Sequence, residues 1–136
     1  MHRKMYKQGS LLAMLAVMFG AFGAHILKDM LEPETLAGFQ TATQYQMVHA
    51  IALIITGLKY RHYKSNKLVW ASYAFLSGIV CFSGSIYLRV ILGLMGIEGN
   101  LMLALVTPVG GMLFMLGWLM LFLSIPSSVQ EQQKSE

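Results

Sequence analysis

FQTATQYQMVHAIALIITGL, residues Phe39 to Leu58, decides how many times this chain crosses a membrane. The stretch has the ~20 residues that a hydrocarbon core of roughly 30 Å requires. Its second half is plainly apolar, but Gln40, Thr41, Thr43, Gln44, Tyr45 and Gln46 crowd its first half and make it the least obvious span by hydropathy. Read as a span, it returns the chain to the side on which it started.

The surrounding sequence supports that reading. Among 136 residues 56% are hydrophobic and only 12% charged, far more apolar than a soluble domain. Apolar stretches at residues 8–27, 68–88 and 101–121 complete a set of four spans around 39–58, all within one membrane domain of residues 1–125. The fold class expected is therefore an all-α, integral membrane four-helix bundle. Residues 126–136, PSSVQEQQKSE, are polar and are expected to form a mobile tail. Cys81 is the single cysteine, which leaves no disulfide framework and no cysteine metal site.

Charge placement sets the orientation. The net charge is +4, but the basic residues gather at span ends, so they read as membrane-orienting charges and not as a nucleic-acid surface. Arg3, Lys4 and Lys7 precede the first span and Lys59, Arg61, Lys64 and Lys67 follow the second, whereas the first connection carries Asp29, Glu32 and Glu34 against Lys28. The positive-inside rule then puts both termini in the cytoplasm, and the expected location is the bacterial cytoplasmic membrane, crossed several times. A basic start, an apolar run and Ala21-x-Gly23 imitate a signal peptide, but small residues recur at Gly9, Ala13, Ala16, Gly20 and Ala24. Steps of three and four place them on one helical face, as in small-xxx-small seams, so the first span is expected to remain and Gly20→Leu to separate backbones that touch, within the bundle or between protomers.

Polar residues recur at one depth. At a rise of about 1.5 Å per residue His25 falls roughly 5 Å inside the outer boundary, Tyr45 about 9 Å inside it, and His49 near the midplane. Thr41, Tyr45, His49, Ala52 and Thr56 form one stripe on the second span. Ala71, Gly78, Phe82, Ser85 and Arg89 form another on the third, and Asn100, Thr107, Gly111, Phe114 and Trp118 a last one on the fourth. Facing one another, these stripes would open a polar vestibule outward above an apolar plug. In TPVGG, Thr107 to Gly111, Pro108 lacks an amide hydrogen and leaves the Ala104 carbonyl without its partner, so a kink or break is expected beside Gly110 and Gly111.

GAFGAHILK (Gly20 to Lys28), TATQYQMVHAIAL (Thr41 to Leu53), FSGSIYL (Phe82 to Leu88), and TPVGG followed by Gly117-Trp118 resemble the family called domain of unknown function 423. The resemblance covers nearly the whole chain. It implies a small four-span protein of bacterial inner membranes, with mitochondrial relatives, and brings no established activity. His25, Lys28, Tyr45, Gln46, His49, Ser83, Ser85, Tyr87, Thr107 and Pro108 match its motifs, while Arg89 departs from them.

His25, Lys28, Tyr45, His49, Ser85, Arg89 and Thr107 are the candidate ligand-binding residues. Gly20, Ala24, Pro108, Gly110 and Gly111 are the candidate packing or kink positions. For the histidines, a proton-responsive or ligand-binding pair stands against interhelical glue. His49 is expected to be neutral and bonded to another helix, and His25 to be wetter and near Lys28, Arg89 and Glu98. Methionines near His25 would suit copper, yet this chain uses methionine as filler throughout, so no metal or cofactor is expected. No carboxylate lies within a span to orient a Ser-His pair or relay protons, and an enzyme is not expected. The expected role is a binding or accessory protein that recognises a lipid headgroup, small solute or partner helix at the outer layer; the alternative is a transporter or channel working as a homo-oligomer. Membrane lipid, a partner helix or a second copy are the partners, with no nucleic acid.

Overall fold

The computed structural model describes residues 1–97 and 101–125, so Glu98, Asn100 and the tail 126–136 lie outside the described residues. The chain is all-helical. Helix α1 (His2–His25) leads through a single 3-10 turn (Leu27–Asp29) into α2 (Pro33–His62). Helix α3 (Asn66–Ile79) passes through a π-helical turn (Val80–Gly84) directly into α4 (Ser85–Leu94), and α5 (Leu101–Leu123) follows.

Local chemistry explains the ends. Pro33 opens α2, where a missing amide costs nothing. The Ser65 hydroxyl accepts from the Lys67 amide to start α3. Gly96, at φ 76°, closes α4 in a Schellman turn in which the Ile97 amide donates to the Leu92 carbonyl at 2.9 Å.

His2–Asp29, Asn66–Leu94 and Met102–Leu123 are long and apolar enough to cross a membrane. Helix α2 is not among them, yet it runs antiparallel to α1 along its whole length. A Cβ on Gly57 would lie 3.1 Å from that of Met5 at one end, and a Cβ on Gly23 would lie 3.0 Å from the Phe39 ring at the other. Burial of two faces of α2 takes in Thr43, Gln46, His49 and Thr56, while Gln40, Thr41, Gln44 and Tyr45 are exposed. Phe39, Gln46, Ala50 and Gly57 meet α1, while Ala42, His49, Ala52 and Thr56 lie on the face toward the other hairpin.

The α1 seam differs from the expected one. Met5, Gly9, Leu12, Ala16, Phe19 and Gly23 repeat in alternating steps of four and three, and Met5, Gly9, Ala16 and Gly23 are buried. This is the heptad geometry of helices crossing at a shallow angle. Gly20 and Ala24 sit off that line: a Cβ at Gly20 meets nothing within 4 Å, and Ala24 is exposed. Gly20→Leu is therefore expected to leave thermal stability within about 0.5 kcal/mol of wild type. Gly9→Leu, whose Cβ would press on the Ala50 carbonyl at 2.8 Å, is expected to cost about 2 kcal/mol. Equal stabilities for the two variants in detergent would contradict this seam.

The second hairpin locks by reciprocal glycine–phenylalanine contacts. Gly78 of α3 lies under Phe114 of α5, and Gly117 of α5 lies under Phe75 of α3. Gly110 of α5 meets the backbone of Phe82 in the π turn. The Lys67 ammonium donates to the Leu123 carbonyl at 2.9 Å, a cation at the negative end of α5. Of the kink or break expected at Pro108, the break does not occur, because helix α5 continues through it. Neighbouring helices tolerate one lost backbone bond, and the irregular turn lies instead on the facing segment, at Val80–Gly84. Beyond the turn Ser85 and Val90 are buried, and Arg89 is exposed.

At the end where the outward vestibule is expected, the described residues pack apolar side chains together. Leu27, Phe39 and Val90 form an apolar cluster at that end, joined by Phe19, Leu31, Leu36 and Tyr87. Leu27 and Leu31 come from the α1–α2 connection, so part of it packs onto the helices.

Candidate functional site

Polar side chains at membrane depth join the helices pairwise. Gln46, 2% exposed, donates from Nε2 to the Leu12 carbonyl of α1 at 2.9 Å and accepts the Tyr87 hydroxyl of α4 at 2.8 Å. The Tyr87 ring lies between Phe19 and Phe39, with centroids 4.8 and 5.1 Å away. Ser83 donates to the Ala42 carbonyl of α2 at 2.8 Å. Ser85 and Thr107 join α4 to α5 through their hydroxyls, 2.7 Å apart. Other hydroxyls, such as that of Thr56, bond back to their own helix.

His49 is the joint between α2 and α5. Its Nδ1 lies 2.7 Å from the Tyr45 carbonyl and its Nε2 3.1 Å from Nε1 of Trp118. A carbonyl only accepts and an indole N–H only donates, so the geometry assigns the neutral ring with the proton on Nδ1. The ring also stacks on Phe114, with centroids 3.5 Å apart and planes 9° from parallel. With both nitrogens engaged, the imidazole offers a ligand neither a lone pair nor a proton in this arrangement. Among the described residues no buried side-chain nitrogen or oxygen lacks a partner, and no three His, Cys, Asp or Glu side chains converge.

What remains open is a groove of about 630 Å³ between α2 and α5. Tyr45, His49, Phe82, Phe114 and Trp118 supply its aromatic wall, and Pro108, Gly111, Met112 and Met115 the α5 side. Tyr45, 44% exposed, stacks on Phe82 with centroids 4.7 Å apart. A Cβ at Gly111 would meet nothing within 4 Å, so part of this space exists because position 111 carries no side chain.

The sequence candidates divide accordingly. Tyr45 and His49 share the groove, and Ser85 is paired with Thr107. His25, Lys28 and Arg89 are exposed at the outer end and belong to neither arrangement. Gln46 and Tyr87 form the most extended joint, although neither stood among the site candidates. A buried glutamine one step off the chosen stripe was the available signal.

A family model described as "Protein of unknown function (DUF423)" matches residues 19–111. The chain belongs to this family. A UPF0382 membrane protein of Staphylococcus epidermidis is 41% identical over 116 residues, 85% of this chain and 89% of that one. Another from Staphylococcus saprophyticus is 42% identical over 113 residues, 83% of this chain and 88% of that one. A third, from Staphylococcus aureus, is 40% identical over 116 residues, 85% of this chain and 89% of its own. Comparison with solved structures gives no significant match. The DUF423 match takes in the Gln46–Tyr87 and Ser85–Thr107 joints and the Gly110–Phe82 contact, and it stops before Phe114 and Trp118.

Proposed function

We propose that this chain is a noncatalytic binding protein of the bacterial cytoplasmic membrane that holds the apolar body of a membrane lipid between α2 and α5. The supporting observation is the groove at Tyr45, His49, Phe82, Phe114 and Trp118. Its size falls in the range of about 300–1,000 Å³ typical of small-molecule sites, and its lining of aromatic and thioether groups with few polar atoms suits an amphiphile. The Tyr45 hydroxyl makes no hydrogen bond among the described residues, which leaves it for a polar group near the lipid head. The intramembrane polar residues already bonded to one another serve cohesion and leave recognition to this wall.

Gly111→Leu tests the reading, because the added side chain enters the groove without meeting another atom at Cβ. Native mass spectrometry of gently extracted protein is expected to find one lipid fewer on the variant than on the wild type, at equal stability. Equal lipid retention by both would refute it.

A further inference from the structure

The two ends of the bundle differ in charge. Arg3, Lys4, Lys7, Lys59, Arg61, Lys64 and Lys67 lie at the end formed by the start of α1 and the α2–α3 connection, while Asp29, Glu32 and Glu34 lie at the opposite end. The positive-inside rule accounts for basic residues at the first end. It does not require that they surround a cavity, yet Arg3, Lys7 and Arg61 line one of about 500 Å³ between the first turns of α1 and the last turns of α2.

Glycine shapes this cleft. A Cβ on Gly57 would lie 3.3 Å from the His2 carbonyl and 3.4 Å from the Tyr6 amide, so the bare backbone lets the start of α1 settle against α2. That approach brings the cations of two helices to one place. No acidic side chain is among the described residues lining the cleft. Tyr6 and Leu58 complete its wall and are 49% and 46% exposed, which gives it an apolar side continuous with the lipid-facing surface.

We propose that this cleft binds the phosphate of an anionic phospholipid headgroup in the cytoplasmic leaflet. Arg3 and Arg61 supply forked donors that match phosphate oxygens, and Lys7 adds a point charge. Tyr6 and Leu58 lie against the glycerol and first methylenes, which favours a lipid over soluble phosphate. The cleft shares no residue with the groove between α2 and α5, so Gly111→Leu leaves it intact and the two proposals fail separately.

The test uses the full chain in micelles containing equal phosphatidylcholine and phosphatidylglycerol, with retained lipid counted by native mass spectrometry. Wild type is expected to retain phosphatidylglycerol preferentially. Arg3→Gln with Arg61→Gln is expected to reduce that retention roughly tenfold, and Arg3→Lys with Arg61→Lys about threefold, because lysine keeps the charge and loses the fork. Lys59→Gln with Lys64→Gln removes the same charge outside the cleft and is expected to change retention by less than about twofold. No preference for phosphatidylglycerol, or equal losses in both glutamine pairs, would reduce these charges to an orienting role. Displacement of phosphatidylglycerol by millimolar inorganic phosphate that itself stays bound would overturn the lipid assignment in favour of a soluble anion.

Discussion

Gly110→Ala is expected to lower the stability of the bundle by about 3 kcal/mol, near the top of the usual range for an overpacked interior. The Cβ would enter the space of the Phe82 backbone, which lies in the π turn and cannot rotate away as a side chain would. Helix α5 would have to separate from α3 and α4, straining the Gly78–Phe114 and Gly117–Phe75 contacts and the Ser85–Thr107 hydrogen bond at once. Gly111→Ala, one position along and facing open space, is the control and should stay within about 0.5 kcal/mol of wild type. Steric trapping or thermal unfolding in detergent reads both; equal stabilities would mean that α5 does not sit against the π turn as described.

The second large effect is expected at His49. His49→Ala removes the ring stacked on Phe114, deletes the acceptor for Trp118 and leaves a void beside Phe75 and Phe114. Loss of a buried side chain with its cavity costs about 2–5 kcal/mol, and an intramembrane hydrogen bond adds about 1 kcal/mol. A total of about 3 kcal/mol is expected after partial collapse. Thr41→Ala on the same helix removes an exposed hydroxyl bonded only to its own turn, and is expected to be neutral. The Trp118 emission should shift in His49→Ala and not in Thr41→Ala, because only the first variant frees the indole N–H. Unchanged stability and emission would contradict the joint.

Much of this arrangement was legible in the sequence. Hydropathy gives three helical stretches, and the family resemblance together with charge placement supports the fourth despite its glutamines. The stripe Tyr45–His49–Ala52–Thr56 follows one of the two buried faces of α2. Gln46 lies on the other, and a search for one polar stripe passes over it because a helix with two buried faces has no single direction of polarity. Of the small residues of α1, Gly9 and Ala16 lie on the seam with α2, and Gly20 and Ala24 lie off it. Several glycines and alanines fit a four-residue step, and only contact with α2 selects Gly9, Ala16 and Gly23. The π turn was hidden because nothing in VCFSG forbids an ordinary turn. Beyond it Ser85 still faces Thr107 of α5, while Val90 is buried and Arg89 exposed. At the outer end the leucines of the connection read as loop residues but pack with Phe39 and Val90.

The central claim is that the polar residues hold the helices together while the groove they border holds a lipid. The most direct measurement places a photoreactive residue at Met115, on the groove, and in a second variant at Val17, on the exposed face of α1. After illumination in intact membranes, adducts are identified by mass. A single dominant lipid adduct at position 115, suppressed by Gly111→Leu and absent from position 17, is the predicted result. The same mixture of bulk lipids at both positions, unchanged by Gly111→Leu, would contradict the account, as would a protein adduct at 115, which would assign the groove to a partner helix.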